Sequence, residues 1–493
     1  MLARVLKEVL LCLVCLSAAV AAAPLRPNII WIMADDLGWG EIGPFPSTSL
    51  HGKISTKNLD QFAKEGMVFR QAYAGYTVCA PSRTTLFTGR HSGKFKEAKL
   101  SGTTLAPDEA VTTSDLLQKV GYKTALVGKS APLTEPLSQG FDYFIGQVDQ
   151  STCHNMYPQY IDQGRGIRNV PLPLNQKNPR SREACMAHPD QYNYTVDITQ
   201  NYALRWIRNH AAGSFFSPRD DPFFMYMSFT IPHAGGWGSA PKDPEQGAPV
   251  PTDFQYANET WPDVEKDHAA VIVYLDNYVG QLLEELKALE IDNNTIIFFA
   301  SDNGAHLEGG HSIEFFNSTG GLLGHKRSLY EGGVRSPTMV RWPSMISPGS
   351  MSEHEWAFWD VMPTLCELAG CTSTVPTNTD GISIVDTLLG KPEKQEKHEY
   401  LYFTWNQKQP WPPKNLESKS SRSGYSIRSG EWKGVVDECG ESMVPNMSDA
   451  MQLYHLSNDP FETTDVSRRY EDRLVWLKSL AIKAKVTCDC YQC

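Results

Sequence analysis

Continuous apolar runs constrain the fold of this 493-residue chain more than any other feature of its sequence. NIIWIMA at 28–34 is apolar after its first residue, and TIIFFA at 295–300 has the same character. Strands of a parallel sheet are covered on both faces, so they read as uninterrupted apolar segments instead of alternating ones. These runs therefore predict a buried, mostly parallel sheet.

Helical segments lie between the apolar runs, as a parallel α/β fold requires. A helical pattern followed by a strand recurs at 114–128, 195–230 and 268–300, and residues 338–343 read as one more strand. Within the longest helical segment, the apolar residues follow helical spacing at Val271, Leu275, Val279, Leu282 and Leu286. We predict a large mixed, mostly parallel sheet flanked by helices.

The pattern changes after the charged stretch KPEKQEKH at 391–398. Short alternating runs follow at 399–405, 425–430 and 431–437, and residues 470–485 read as a final helix. We therefore assign residues 22–395 to the α/β domain. Residues 396–493 would form a C-terminal α+β subdomain with a smaller antiparallel sheet plus a helix.

The N-terminus is typical of a signal peptide over residues 1–21. Arg4 and Lys7 precede a short apolar run that ends in small residues. A membrane anchor is the alternative, but the run is shorter than the roughly 20 residues of a membrane span. We expect passage through the secretory pathway to an extracellular or lysosomal destination, without stable membrane insertion. Five glycosylation sequons fit this route: Asn193, Asn258, Asn293, Asn317 and Asn446.

Cysteine number and net charge narrow the possibilities further. Of 11 cysteines, Cys12 and Cys15 fall in the signal peptide, which leaves an odd number, nine, in an oxidising compartment. Plausible disulfides are Cys153–Cys185, Cys366–Cys371, and pairs within the tail CDCYQC (Cys488, Cys490, Cys493) and back to Cys439. The net charge of −11 argues against a nucleic-acid partner.

Polar residues follow four predicted strands at the point where each strand ends. They are Asp35 and Asp36, Lys129, His233, and Asp302 and Asn303. In an open α/β sheet, ligands bind in the crevice outside the carboxyl ends of the strands. We therefore expect these side chains to meet at one edge of the sheet.

The three aspartates and Asn303 offer oxygen ligands of the kind preferred by Ca²⁺ or Mg²⁺. Paired acids at a crevice repel each other unless a cation neutralises them. A turn or a helix cap would explain either pair alone. Two pairs at equivalent strand ends favour a metal site.

Cys79 begins the segment CAPSRTTLFTGR at 79–90. Pro81 suits the first turn of a helix and Gly89 suits its end, so Cys79 should lie at a helix N-terminus, where exposed N–H groups favour an anion. Arg83, one turn later, adds a guanidinium suited to oxyanions. From these residues alone, half of a disulfide or an unpaired cysteine is the alternative.

The same segment resembles the signature of type I sulfatases, Cys-x-Pro-Ser-Arg followed by Thr-Gly-Arg. Six further stretches resemble blocks of that family in the same order: NIIWIMADDLGWGEIG, GYKTALVGK, SFTIPHAG, FFASDNGA, GGLLGHKRSLYEGGVRSP and LYHLSNDPFE. The wording is most similar to arylsulfatases of the arylsulfatase A type. The resemblance implies an alkaline-phosphatase-like fold.

The resemblance also implies an activity, the hydrolysis of an aryl or carbohydrate sulfate monoester. Cys79 would be oxidised to formylglycine (3-oxoalanine) by the formylglycine-generating enzyme during maturation. One hydroxyl of the hydrated aldehyde would attack sulfur and release the alcohol, and the second would allow sulfate to leave. The substrate partner would be a sulfated small molecule or glycan.

Roles for the candidate residues follow from the same resemblance. One Ca²⁺ would be bound by Asp35, Asp36, the modified Cys79, Asp302 and Asn303. The substrate sulfate would be bound, and its charge stabilised, by Arg83, Lys129, His233 and Lys326. His233 or Lys326 would protonate the leaving oxygen.

One stretch departs from the family pattern. The family often has a histidine two residues after the lysine, whereas this chain reads GKSAPL, with Ala131 at that position. The departure keeps two other interpretations open. One is a phosphoesterase of the same fold, and the other is a catalytically impaired protein that binds sulfated glycans.

Overall fold

The computed structural model describes residues 26–45, 54–95, 100, 102–150, 152–164, 167–177, 181–213, 221–236, 247–406, 423–437 and 445–486. The predicted signal peptide and the predicted pairing of Cys439 with the C-terminal cysteines lie outside these residues. Among the helices of the described residues, none is long and apolar enough to cross a membrane.

The elements up to the centre of the chain are β1 (Asn28–Asp35), α1 (Lys57–Glu65), β2 (Met67–Phe69), β3 (Ala72–Tyr73), α2 (Cys79–Thr88), α3 (Thr113–Lys119), β4 (Lys123–Lys129), β5 (Tyr143–Gln147), β6 (Tyr160–Gln163), β7 (Ile167–Pro171), α4 (Pro173–Lys177), α5 (Arg182–Ala187), α6 (Thr195–Ala211) and β8 (Phe223–Pro232). They continue with α7 (Asp263–Ala288), β9 (Thr295–Ser301), α8 (Glu331–Val334), β10 (Thr338–Arg341), β11 (Ser350–Ser352), β12 (Trp356–Ala357), α9 (Val361–Ala369), α10 (Val385–Leu388), β13 (Leu401–Asn406), β14 (Ser423–Ser429), β15 (Trp432–Val436), β16 (Gln452–His455) and α11 (Glu471–Val486).

A sheet of ten strands within the described residues forms the centre of the fold, in the order β11-β2-β10-β9-β1-β8-β4-β5-β6-β7. Its middle strands, β9, β1, β8, β4 and β5, are all parallel. Antiparallel pairs occur outside them, where β10 pairs with β9 and β6 pairs with β5. The predicted large, mixed, mostly parallel sheet is confirmed.

The apolar runs are explained by helices on both faces of the sheet. Ile30 and Ile32 of β1 pack in one core, which also contains Val271 and Leu275 of α7. Ile29 and Trp31 point to the opposite face and pack with residues of α2, α3 and α9. Because both faces of β1 are buried, its sequence shows no polar alternation.

The C-terminal part forms its own antiparallel sheet, β13-β14-β15-β16, as predicted. Helix α11 packs on this sheet through Leu477, Leu480 and Ala481. A separate apolar cluster, including Tyr73, Trp359 and Phe403, joins the small sheet to the large domain.

A buried ionic network lies at the same junction. Lys433 of β15 donates to Glu331 of α8 at 2.8 Å and contacts Glu462 at 2.9 Å. Arg335 donates to the second carboxylate oxygen of Glu331, and so does the hydroxyl of Tyr73. The C-terminal sheet is thereby bonded to the segment that precedes β10.

We expect Lys433→Met to lower the free energy of unfolding by about 3–5 kcal/mol, because it leaves two carboxylates buried without their shared cation. Lys483→Met is the matched control. Lys483 pairs with Glu399 at the surface, where both side chains are more than half exposed, so its loss should cost less than about 1 kcal/mol. Urea unfolding measures both, and equal effects would contradict the prediction.

Candidate functional site

The four strands whose ends carry the predicted polar residues are adjacent in the sheet, in the order β9-β1-β8-β4. All four are parallel, so their carboxyl ends lie along one edge. Asp35, Asp36, Lys129, His233, Asp302 and Asn303 are all buried at this edge, at most 1% exposed. The structure thus brings the six residues together as the strand assignments predict.

Asp35 at the end of β1 is surrounded by cations. Its Oδ2 accepts a hydrogen bond from the Lys129 ammonium at 2.8 Å, and its Oδ1 lies 3.7 Å from the guanidinium of Arg83. Burial raises the pKa of Asp35, but Lys129 and Arg83 outweigh it and hold the pKa of this carboxyl well below its ordinary value.

Asp36 has a left-handed backbone conformation (φ 70°), which turns its side chain toward a second group of residues. Its Oδ2 accepts from the Lys326 ammonium at 2.6 Å and lies 3.3 Å from Nε2 of His233. Lys326 also donates to Glu308 and lies 3.1 Å from the same His233 nitrogen. Lys326, for which the sequence gave no strand end, therefore joins the site.

Helix α2 carries Cys79 at its first residue and Arg83 one turn later, and every residue of the helix is buried. Gly89 ends the helix in the left-handed conformation, as the sequence predicts. Arg83 donates to Asp302 and to Ser228, so its guanidinium holds the end of β9. The predicted helix and the placement of Cys79 at its N-terminus are confirmed.

The Cys79 sulfur lies among the strand-end residues. It is within 4.8 Å of ligand atoms of Asp36 and His233, and of Asp35 and Asp302. Burial raises the pKa of the thiol to about 12, so the unmodified side chain is a neutral thiol at physiological pH. As a plain cysteine, residue 79 would be a poor nucleophile.

Two oxygen atoms at the site favour a cation. Asp35 Oδ1 and Asn303 Oδ1 are buried and have no hydrogen-bond partner among the described residues. Buried polar atoms are rarely left without a partner, and both atoms are oxygen ligands of the type that a hard divalent ion prefers. The donor set fits Ca²⁺ or Mg²⁺.

The mutual repulsion of the three aspartates is relieved by protein cations. The carboxylates of Asp35, Asp36 and Asp302 are paired with Arg83, Lys129 and Lys326. Burial and the nearby Asp35 still raise the pKa of Asp302 to about 7, although Arg83 opposes the shift. Because the protein charges balance, a bound divalent cation would leave the site positive and able to attract a sulfate group.

Two residues at the site carried no signal in the sequence. Glu308 follows β9 and contacts both His233 and Lys326 at 3.1 Å. His154 comes from the loop after β5, where its Nε2 lies 3.2 Å from the Lys129 ammonium and 3.5 Å from Asp35. Its ring stacks on His233 with centroids 3.7 Å apart.

His154 lies close to Lys129, near which the family pattern led us to expect a histidine at position 131. Ala131 instead lines a neighbouring cavity. The placement of His154 depends on a long-range contact, because Gly236 donates its backbone N–H to the carbonyl of His154. Side-chain addition at Gly235 would clash with that carbonyl at 2.3 Å.

Comparison with known proteins identifies the family. The Sulfatase family model matches residues 27–371, more than half of the chain. The chain belongs to the sulfatase family. A second model, N-sulphoglucosamine sulphohydrolase, C-terminal, matches residues 322–481. Of the two competing classes, the sulfatase is therefore supported over the phosphoesterase, and this protein is a sulfatase.

Individual relatives extend the similarity over much of the sequence. N-acetylgalactosamine-6-sulfatase of Mus musculus is 30% identical over 417 residues, which cover 78% of this chain and 70% of the relative. N-acetylgalactosamine-6-O-sulfatase of Bacteroides thetaiotaomicron is 27% identical and is covered to 93%, as is this chain. The solved structure of Ps i-CgsB in complex with k-i-k-neocarrahexaose shares the fold, with a TM-score of 0.70, 24% identity and 93% coverage of both chains.

We expect His154→Ala to lower kcat for sulfate ester hydrolysis by roughly 100-fold, in the range typical of a lost proton-transfer or hydrogen-bonding group, and to change KM less. His210→Ala is the control, because His210 packs on Trp206 and Phe223 and bonds the carbonyl of Asp221 away from the site. Steady-state kinetics on folded variants measure both, and an unchanged kcat in His154→Ala would contradict the prediction.

Proposed function

We propose that this sulfatase hydrolyses the sulfate monoester of a carbohydrate, with formylglycine at position 79 as the nucleophile and Ca²⁺ at the strand-end oxygens. The observation that supports this proposal most strongly is the position of Cys79. Its sulfur lies within 4.8 Å of ligand atoms of the strand-end acids, at the start of a buried helix. The carbohydrate class follows the printed names of the two N-acetylgalactosamine sulfatase relatives.

The need for a modified side chain follows from the buried thiol. A thiol whose pKa is raised to about 12 presents almost no thiolate at neutral pH. A hydrated aldehyde supplies two hydroxyls on one carbon, one to attack sulfur and one to allow sulfate to leave. Around it, Lys129 and Lys326 would stabilise negative charge on the sulfate oxygens.

Arg83 would contribute mainly through the carboxylates. Its Nε donates to Asp302 and its terminal nitrogens face Asp302, Ser228 and Asp35. We propose that it fixes the positions of the metal-binding acids, and a direct contact with the sulfate remains a prediction. Asp35, Asp36, Asp302 and Asn303 would hold the ion, which would act as a Lewis acid toward a sulfate oxygen.

His233 and Lys326 are the candidates to protonate the leaving oxygen. They lie 3.1 Å apart, and both contact Glu308 and Asp36. Because the two groups share these carboxylates, a proton can be replaced on either one after transfer. Removing Glu308 would disturb both.

A secretory route fits the proposed modification, since formylglycine formation and N-glycosylation would occur there. Of the five sequons, Asn258, Asn293 and Asn446 are exposed. Passage through the secretory pathway, and an extracellular or lysosomal destination, are part of the proposal.

The nucleophile is tested by coexpressing the protein with the formylglycine-generating enzyme. Mass spectrometry of the peptide across Cys79 should show sulfur and two hydrogens replaced by oxygen. Hydrolysis of a chromogenic aryl sulfate should fall by roughly 1,000-fold or more in Cys79→Ala. An unmodified thiol together with full activity would refute the formylglycine mechanism. Binding of sulfated glycans without turnover would favour the impaired, glycan-binding alternative.

Calcium is tested by chelation and titration. We expect the metal-free protein to lose activity and to regain it with Ca²⁺. Because the pKa of Asp302 is raised to about 7 without metal, a proton competes with the ion below that pH. The affinity for Ca²⁺ should therefore be about tenfold or more weaker at pH 5.5 than at pH 7.5. Calorimetry measures it, with Asp302→Asn as the variant that should lose the pH dependence. Tighter binding at the lower pH would contradict this assignment.

A further inference from the structure

A cavity of about 470 Å³ opens beside the proposed nucleophile. Gln150 connects the two, since it lines the cavity and its amide nitrogen lies 3.8 Å from the Cys79 sulfur. Ala131 and Pro132, which follow Lys129 after the end of β4, form another part of the wall. The volume lies within the roughly 300–1,000 Å³ range of small-ligand sites.

The described part of the lining is rich in groups that bind sugar hydroxyls. It combines threonine hydroxyls, the carboxamide of Gln150 and the carboxylates of Asp149 and Asp162. Tyr160 also lines the cavity and is 44% exposed, so its ring offers a surface for the apolar face of a sugar. A sterol would need an apolar pocket, and these polar groups would lose hydrogen bonds to water without replacement.

The charged residues of the described lining are both acidic. Asp149 accepts a hydrogen bond from the backbone of Thr152 at 2.9 Å, and Asp162 accepts from the backbone of Val148 at 3.1 Å. These bonds fix both carboxylates on the wall. Among the described lining residues there is no lysine or arginine, and the Lys129 ammonium is bonded to Asp35 instead.

Positive and negative charges are therefore separated across the site. The cations Lys129 and Lys326 lie at the strand ends around Cys79, while the adjoining cavity carries Asp149 and Asp162. One sulfate group is attracted at the strand ends, but a second sulfate or a carboxylate on the same sugar would lie against two acids. Like charges held this close repel each other, and salt weakens the repulsion.

We infer that this cavity binds the sugar ring of the substrate, and that it selects a ring with no acidic group besides the sulfate to be removed. Neutral hexoses and N-acetylhexosamines fit this class, and an amino sugar with a free ammonium does too. The inference rests on the proposed carbohydrate sulfatase activity and deepens it.

The test uses the full-length protein converted at position 79. Hydrolysis of N-acetylgalactosamine 6-sulfate is compared with that of N-acetylgalactosamine 4,6-disulfate and of a steryl sulfate. We expect kcat/KM for the monosulfated sugar to exceed that for the disulfated one by about tenfold or more at low salt, and the ratio to shrink at high salt. Turnover of the steryl sulfate should be lower than that of the monosulfated sugar.

Asp149→Asn and Asp162→Asn keep the side-chain shape and the oxygen that accepts the backbone bond. Each should reduce the preference for the monosulfated sugar by at least about threefold, because each removes one negative charge from the wall. Asp472→Asn is the control, since Asp472 lies on α11 and its side chain is 78% exposed, so the same change in net charge should leave the ratio unaltered.

The outcomes separate the inference from the proposed function. Hydrolysis of a chromogenic aryl sulfate, with equal turnover of both sugars and no effect of the two variants, would overturn the charge selection. A preference for the steryl sulfate would overturn the sugar subsite. If none of the sulfate esters is hydrolysed by the converted protein, the proposed function itself fails.

Discussion

The structure depends on burying a set of opposite charges at one edge of a parallel sheet. Asp35 and Asp302 lie at the ends of adjacent strands with no solvent exposure, and Arg83 lies between them. Charges that leave water need partners, because the loss of hydration is larger than any single hydrogen bond returns. The helix that carries Arg83 must therefore pack inside the domain, and Cys79 is brought to the sheet edge with it.

This requirement connects the nucleophile to the metal site. Since Cys79 and Arg83 are one turn apart on α2, fixing the guanidinium against Asp302 also fixes the first residue of the helix. The C-terminal sheet acts on the other side of the site. Lys433 holds Glu331, a few residues beyond Lys326, so the small sheet supports the segment that supplies a cation to Asp36.

The site has two electrostatic parts. At the strand ends, protein cations and carboxylates balance, and a divalent ion would make the region positive. In the adjoining cavity, Asp149 and Asp162 keep the wall negative. A sulfate ester bound across this boundary would have its leaving group and its sugar ring in different electrostatic environments, which provides a physical basis for selecting among sulfated sugars.

Local patterns in the sequence determined the buried strands, the helix that starts at Cys79 and the residues at the strand ends, because burial on both faces and the turn chemistry of proline and glycine act over a few residues. They also determined the motif that identified the family. His154, Glu308 and the two acids of the cavity wall were decided only by tertiary structure. Each belongs to a loop whose position depends on contacts far away in sequence, such as the bond from Gly236 to His154, and no local spacing records such a contact.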